Sequence, residues 1–269
     1  MVHADLHVHT RNSDGQLTLE GIPGAARAAG LSVVAVTDHD RMHPGLEAPL
    51  AELDGITVVH GIELRVETPV QRVDLLGYGL DSTPEMRAET DRLGADRVRR
   101  GRKIVRCLEA ELGVELDCSV GERTGRPHIA RAVVAHPETT YETIEAVFED
   151  LIGDGRPCFV PRDVPTFDRG VSLLGEAATV VGLAHPFRYA DPEAALDRCG
   201  ALDAVERYYP YDRPLTGEPV VDESLLESTI ATHDLLRIGG SDAHGTEIGV
   251  TGLDRQDYSR FEAALSPEP

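Results

Sequence analysis

Residues 1–15 read MVHADLHVHTRNSDG, and the rest of the chain is organised around this stretch. Apolar and polar residues alternate over its first eight positions, which predicts a short strand. His7 and His9 lie two residues apart, so on a strand both imidazoles point to one face. The turn NSDG that follows can bring Asp14 back toward them. Two imidazoles and a carboxylate at a strand end predict a site for Mn, Fe, Zn or Co, and the alternative is a pair of surface histidines beside a loop.

The chain is strongly acidic. It has 26 basic and 47 acidic residues among 269, a formal net charge of −21, and Lys103 is its one lysine. A carboxylate-rich surface repels itself at low ionic strength and is tolerated where salt shortens the screening length, to about 3 Å in 1 M salt. We therefore expect a halophilic protein. An acidic surface ordinarily argues against a groove that binds nucleic acid. Here the acidity can instead reflect adaptation to a salty cell, so it says little about the binding partner.

Cysteine usage and hydropathy indicate the compartment. No stretch of 18 apolar residues and no cleavable leader is visible, so we expect neither a membrane span nor a signal peptide. The cysteines are widely separated and form no CxxC pair, which predicts reduced thiols of a cytoplasmic protein rather than a disulfide framework or a zinc knuckle. The four are Cys107, Cys118, Cys158 and Cys199.

Strand-like apolar runs alternate with helical stretches, and several runs end in polar residues. An alanine-rich helix is predicted to end at Gly30, and the next apolar run leads into TDHD at residues 37–40. Later runs contain Glu63 or lead into His185 and into GSDAH at residues 240–244. This alternation predicts an α/β fold whose chemistry lies at the ends of its strands.

A highly charged segment interrupts the alternation. Residues 84–125, approximately, are predicted to form a helical insertion within one domain that spans residues 1–269. After it, Arg126 and His128 flank the start of a helix, where an anion is favoured. Residues 158–162 (CFVPR) are predicted to form a strand with Arg162 at its end.

The motifs DLHVHT, SDG, VTDHD, HGIEL, GRPHIAR, AHP and GSDAH occur in this order between residues 5 and 244. The series resembles that of the PHP (polymerase and histidinol phosphatase) domain family, in particular its small single-domain phosphoesterases. The resemblance implies a distorted (β/α)7 barrel with two or three divalent metal ions. We expect these ions to be Mn, with Zn or Fe as the alternatives. The metal ligands that the resemblance implies are His7, His9, Asp14, His39, Glu63, His185, Asp242 and His244.

Asp74 departs from the family pattern. The family usually has a histidine eleven residues after the bridging glutamate, which is Glu63 here. We predict that Asp74 is also a metal ligand and that its hard oxygen shifts the preference from zinc toward manganese. The alternative is that Asp74 pairs with Arg65 or Arg72 and touches no metal.

The family chemistry implies hydrolysis of a phosphoester by a metal-bridged hydroxide, with cations ~3.5–4 Å apart clamping the phosphoryl oxygens. Arg126, His128 and Arg162 are predicted to bind phosphate oxygens. Asp40, next to His39, is predicted either to orient that imidazole or to act as the leaving-group acid. A structural turn residue is the alternative for Asp40.

The expected function is metal-dependent hydrolysis of a small phosphorylated metabolite. A nucleotide, a nucleoside bisphosphate or an oligonucleotide end is the favoured substrate, with no membrane and no stable protein partner. The first alternative is a histidinol-phosphate phosphatase, which the same metal cluster would serve. The second is a non-catalytic, metal-binding accessory domain.

Overall fold

A computed structural model of the chain describes residues 1–211 and 221–265. Its strands are β1 (Ala4–Val8), β2 (Val33–Val36), β3 (Leu50–Leu53), β4 (Ile56–Glu67), β5 (Arg72–Tyr78), β6 (Val180–Leu183), β7 (Ala204–Tyr208) and β8 (Leu236–Gly239). Its helices are α1 (Ile22–Ala29), α2 (Pro84–Leu112), α3 (Arg126–Ala135), α4 (Ile144–Val147), α5 (Phe167–Ala177), α6 (Pro192–Leu196), α7 (Glu223–His233) and α8 (Arg255–Leu265). Every helix in these two ranges is too short or too polar to cross a membrane.

The eight strands form one curled sheet in the order β1-β2-β4-β5-β6-β7-β8, with β3 paired to β4. Strands pair in parallel toward both ends of this order, whereas β4–β5 and β5–β6 are antiparallel. A bridge between Val8 and Ala243 joins the end of β1 to the residues after β8. The predicted α/β class is confirmed. The barrel is distorted at the antiparallel pairs β4–β5 and β5–β6; a short turn joins β4 to β5 in place of the helical crossover that a parallel pair needs.

The predicted start of the chain folds as the residue pattern requires. All five residues of β1 are buried, and β2 is a continuous apolar run buried on both faces. The helix α1 ends where predicted, because Gly30 adopts a left-handed conformation with φ 73°. Tyr78 donates a hydrogen bond to the backbone oxygen of Leu6 at 3.0 Å and packs edge-on against Phe261. Leu6, Tyr78 and Phe261 thus belong to one buried apolar core, which lies beneath the ends of the strands.

The chain divides into two compact units. The first comprises Met1–Ala88 and Val164–Pro269 and contains the sheet, and the second is Glu89–Asp163. The second unit is helical and has its own apolar core, built from α2, α3, α4 and the π-helical turn Phe148–Ile152. This helical unit extends well beyond the predicted insertion at about residues 84–125.

The strand predicted at residues 158–162 is absent from the helical unit, so that prediction is wrong. The backbone N–H of Cys158 donates to Leu151 and that of Phe159 donates to Arg156, which closes turns instead of a ladder. Pro161 also has no N–H to contribute to a strand. A short apolar run therefore packs here as irregular chain.

The prediction of four reduced thiols is wrong for one pair. Cys107 and Cys158 form a disulfide, with Cα atoms 5.4 Å apart, whereas Cys118 and Cys199 are free. The two bridged residues are 51 positions apart, so no local spacing could reveal their proximity. Because disulfides are rare in a reducing cytoplasm, the bridge also removes the support that cysteine usage gave to a cytoplasmic location.

Replacing Cys107 with serine is expected to lower the free energy of unfolding by about 2–4 kcal/mol, because the bridge closes a long loop. Urea unfolding followed by far-UV circular dichroism in oxidising, high-salt buffer measures the change. Cys118→Ser is the matched control, since Cys118 is a free thiol in the same helical unit. Equal unfolding midpoints for wild type and Cys107→Ser would contradict the prediction.

Candidate metal centre

Polar side chains from five strands of the first unit and from the segments after them lie in one cluster. In a curled, mainly parallel sheet the carboxyl ends of the strands meet at one edge, and residues placed there converge. The structure brings together all eight residues that the motifs imply as ligands. They are His7 on β1 with His9 and Asp14 after it, His39 after β2, Glu63 on β4, His185 after β6, and Asp242 with His244 after β8.

Glu63 occupies the middle of the cluster. Its Oε2 is 2.7 Å from Nδ1 of His39, 3.4 Å from Nε2 of His9 and 3.5 Å from Nε2 of His7. Its Oε1 is 2.9 Å from Nε2 of His185. Burial would raise the pKa of Glu63, but the imidazoles, His39 first, hold it well below the usual range. Glu63 is therefore a buried carboxylate anion in contact with four imidazoles.

Asp242 closes the cluster from the β8 side. Its Oδ1 is 3.1 Å from Nε2 of His9 and 3.6 Å from Nε2 of His7. Burial would raise the pKa of Asp242, but these two histidines lower it well below its ordinary value. On the open side, Asp14 reaches His39 at 3.8 Å and His244 at 3.4 Å.

Three overlapping groups of ligand atoms can each hold a cation. Buried ring nitrogens and a carboxylate oxygen in these groups make no well-aligned hydrogen bond within residues 1–211 and 221–265, namely Nε2 of His7, both nitrogens of His9, Nδ1 of His185 and Oε2 of Glu63. Such atoms are costly to bury without partners, and divalent cations would satisfy those that face the cluster. The groups are His9–Asp14–His39–His244, His7–Glu63–His185 and His7–His9–Asp242.

Glu206, on β7, is a buried residue of the site that the sequence analysis missed. Its Oε1 is 3.1 Å from Nδ1 of His7, and its Oε2 accepts the backbone N–H of His185 at 2.7 Å. Burial would lower the pKa of His7, but Glu206, Glu63 and Asp242 outweigh it and raise the pKa well above its ordinary value. Glu206 thus fixes the ring so that Nε2 faces the cluster. The feature that could have identified Glu206 from the sequence is its position on β7, a strand between the two strands that deliver His185 and Asp242.

Asp38, in the motif VTDHD, organises the turn that carries Asp14. Its Oδ1 accepts the backbone N–H of Thr10 and the hydroxyl of Ser13, both at 2.7 Å. Its Oδ2 accepts the Thr10 hydroxyl at 2.7 Å and the Asn12 amide at 3.2 Å. The buried Asp38 carboxylate therefore holds the NSDG turn over β2 and sets the position of Asp14.

The GSDAH motif is held against β1 by a similar buried carboxylate. Asp5 accepts the backbone N–H of Ser241 at 2.9 Å and its hydroxyl at 2.5 Å. A Cβ atom at Gly240 would collide with the backbone nitrogen of His7, so only glycine permits this approach. The close contact delivers Asp242 to the cluster.

Asp40 makes structural contacts. Its Oδ1 accepts the backbone N–H of Arg65 at 3.0 Å, and its own N–H donates to the backbone oxygen of Glu63 at 2.8 Å. These bonds favour the turn-residue alternative, and the catalytic role stays a prediction. Asp40, His185 and Asp242 have φ values of 54°, 26° and 46°, a left-handed conformation that costs free energy outside glycine and is typical of functional sites.

Asp74 lies at the edge of the cluster and is paired with Arg65. Its Oδ1 accepts a hydrogen bond from Nε of Arg65, and its Oδ2 accepts one from Nη2 of Arg65 at 2.6 Å. The same Oδ2 is 3.8 Å from Nε2 of His185, and Asp74 belongs to none of the three ligand groups. The pairing matches the alternative considered from the sequence. The ligand role of Asp74 stays a prediction.

A cavity of about 320 Å³ opens onto the cluster, and arginines line one part of its wall. They are Arg65, Arg72 and Arg188. Arg188 donates from Nη1 to Oδ2 of Asp242 at 2.9 Å and to the Tyr209 hydroxyl at 2.5 Å. Arg188 was not predicted from the sequence, although it follows His185 by three residues. A pocket with a carboxylate-and-imidazole floor and a guanidinium wall suits an anion bound together with cations.

All three predicted phosphate-binding residues lie in the helical unit. Arg126, the first residue of α3, donates to Oδ1 of Asp154 at 3.3 Å and lies 5.2 Å from the centre of a phenylalanine ring. Nδ1 of His128 accepts the backbone N–H of Gly125 at 3.2 Å at the helix start. Arg162 follows the turns that replace the predicted strand. Phosphate binding by these residues stays a prediction.

Comparisons with known proteins show which family and which relatives this chain resembles. The family described as the PHP domain matches residues 5–153. A 3',5'-nucleoside bisphosphate phosphatase of Chromobacterium violaceum is 29% identical over 206 residues, which cover 74% of this chain and 72% of the relative. A 5'-3' exoribonuclease of Haemophilus influenzae is 29% identical over 192 residues, 69% of each chain.

A solved structure resembles nearly the whole chain. It comes from Bifidobacterium adolescentis, and its description proposes a metal-dependent phosphoesterase. The TM-score is 0.77 at 27% sequence identity, over 98% of this chain and 96% of the other.

Proposed function

This chain belongs to the PHP domain family, and we propose that it hydrolyses a small phosphorylated substrate, preferably a nucleotide, a nucleoside bisphosphate or an oligonucleotide end. Its relatives are named for hydrolysis of phosphoric esters, which is consistent with a metal-dependent phosphoric ester hydrolase. The observation that carries the proposal is the buried Glu63 carboxylate in contact with four imidazoles. A carboxylate so placed can hold two cations next to each other.

Divalent cations, when bound, supply charge neutralisation for an anionic phosphoester and lower the pKa of water. The donor set contains imidazole nitrogen and carboxylate oxygen but no sulfur, which favours Mn over softer ions. Glu206 keeps Nε2 of His7 facing the cluster, and Asp38 holds the turn of Asp14. Arg188, oriented by Tyr209, would bind a phosphate oxygen at the cavity wall.

The relatives support the nucleotide preference. Two of them are named for activity on a nucleoside bisphosphate and on RNA, and a third, from Eggerthella lenta, is named a phosphoribosyl 1,2-cyclic phosphate 1,2-diphosphodiesterase. All three names describe cleavage of a phosphate ester on a ribose. A histidinol-phosphate phosphatase and a non-catalytic accessory domain remain as the alternatives.

A substrate panel tests the proposal. Phosphate release would be measured at high salt with Mn²⁺ from a nucleoside 3',5'-bisphosphate, a 5'-phosphorylated oligoribonucleotide and histidinol phosphate. We expect the highest kcat/KM for one of the two nucleotide substrates. A preference for histidinol phosphate would replace the substrate assignment. Absence of hydrolysis by protein shown to contain metal would favour the accessory-domain alternative.

Arg126→Lys is expected to lower kcat/KM roughly tenfold with metal content unchanged, because lysine lacks the planar fork that binds two phosphate oxygens. Arg131→Lys, on the same helix α3, is the control and should stay close to wild type. Unchanged kcat/KM in Arg126→Lys would limit Arg126 to its contacts within the helical unit, with Asp154, Ile152 and Phe148.

We also propose that the protein works in a salty cytoplasm, on the basis of its net charge of −21. The midpoint of thermal unfolding should rise by several degrees between about 0.1 M and about 2 M KCl, because salt screens the repulsion among carboxylates. Differential scanning calorimetry measures the midpoint. A midpoint that stays constant or falls as KCl is added would contradict the halophilic assignment.

A further inference from the structure

A partly buried ion pair borders the ligand group His7–Glu63–His185. Arg65 on β4 and Asp74 on β5 are direct partners in the antiparallel register of these strands. Both oxygens of Asp74 accept from the Arg65 guanidinium, through Nε and Nη2. The Asp74 side chain is buried, while that of Arg65 is 37% exposed. Both residues line the cavity, and the guanidinium is the more exposed side chain of the pair.

The ligand group next to this pair has few atoms of its own. His7 also belongs to the group with His9 and Asp242, and Oε2 of Glu63 also contacts His39. His185, in contrast, takes part in neither of the other two ligand groups. Nε2 of His185 lies 3.8 Å from Oδ2 of Asp74, the oxygen that already accepts Nη2 of Arg65 at 2.6 Å.

A cation in this group would lie close to a fixed positive charge. The guanidinium is one hydrogen bond away from the carboxylate that approaches His185. The Asp74 carboxylate lies between the guanidinium and His185, but its negative charge is already balanced by Arg65. Because Arg65 binds both of its oxygens, Asp74 brings no net negative charge with which to offset a further cation at His185.

We propose that this chain binds two divalent cations rather than three, and that the Arg65 guanidinium, clamped by Asp74, supplies the third positive charge of the pocket. Arginine is always charged, and Nη1 of Arg65 is not used by Asp74. The guanidinium lines the cavity and binds a phosphate oxygen there, a role that rests on the proposed function. The proposal opposes the ligand role predicted for Asp74, and one measurement decides between them.

The measurement is the number of Mn²⁺ ions per chain, by equilibrium dialysis and elemental analysis in high-salt buffer. We expect two ions in wild type, and three in Arg65→Gln, where the Asp74 carboxylate is released toward His185. Asp74→Asn should keep two. Arg72→Gln is the matched control, since Arg72 lines the same cavity but pairs with the exposed Glu67, and it should also keep two.

Three ions in wild type, a lower count in Asp74→Asn, or an unchanged count in Arg65→Gln would each overturn the proposal. Wild type without bound metal would instead overturn the proposed function. Breaking a buried pair can prevent folding, so Arg65→Lys provides a second readout. It keeps the charge and should keep two ions, but should weaken the binding of inorganic phosphate roughly tenfold in calorimetric titration, because the fork is lost. Equal phosphate affinity in Arg65→Lys and wild type would contradict the phosphate role.

Discussion

Glu63→Gln is expected to reduce kcat/KM at least ~10²-fold and to lower the metal content of the purified protein. The substitution keeps the size of the side chain and removes its negative charge. In wild type that charge lies within 3.5 Å of ring nitrogens from His7, His9, His39 and His185. A neutral amide can neither bridge two cations nor offset their charge, so the cluster loses its central ligand.

Glu67→Gln is the matched control for this experiment. Glu67 ends the same strand β4, and its side chain is about half exposed and pairs with Arg72. The same chemical change there should leave kcat/KM within about twofold of wild type, as is common for exposed ion pairs. Full activity in Glu63→Gln, with metal content equal to wild type, would contradict the central role of Glu63.

Glu206→Gln is expected to weaken metal binding roughly 10–100-fold, because it disturbs a residue that orients a ligand. Glu206 accepts from both His7 and the backbone of His185. Glutamine has one acceptor oxygen, so one of the two contacts becomes a clash between donors. His7 then loses the partner that fixes its ring, or the chain at His185 shifts.

Competition with a chelating dye measures the affinity of Glu206→Gln for Mn²⁺. Much of kcat should return at saturating metal, because the ligands themselves are intact. Glu227→Gln is the control, since Glu227 is a glutamate on α7 that pairs with Arg207 and Arg237. If Glu206→Gln bound Mn²⁺ as tightly as wild type, the orienting role of Glu206 would be wrong.

The cluster could be predicted from sequence because its residues follow strands whose apolar pattern is local. His39 and His185 come directly after buried runs, and parallel pairing then places them at one edge of the sheet. Pairing between distant segments is not encoded in local pattern. This explains why neither the antiparallel pairing of β5 with β4 and β6 nor the disulfide between Cys107 and Cys158 was predicted.

Residues that support the ligands were harder to predict than the ligands. Glu206 sits on a strand with a weak apolar pattern and works only through His7 and His185, which lie far from it in sequence. The partner of Asp74 could be limited to Arg65 or Arg72 from the sequence. The choice of Arg65 depends on the register of β4 and β5, which only the folded chain shows.

Removal and return of metal test the central claim most directly. The protein would be treated with EDTA, dialysed, verified as metal-free by elemental analysis, and assayed for phosphate release from a nucleoside 3',5'-bisphosphate as Mn²⁺ is added back. We predict no hydrolysis by the metal-free protein and a return of activity in proportion to the bound Mn²⁺. Full activity in the verified metal-free protein would contradict the assignment of this cluster as the catalytic metal centre.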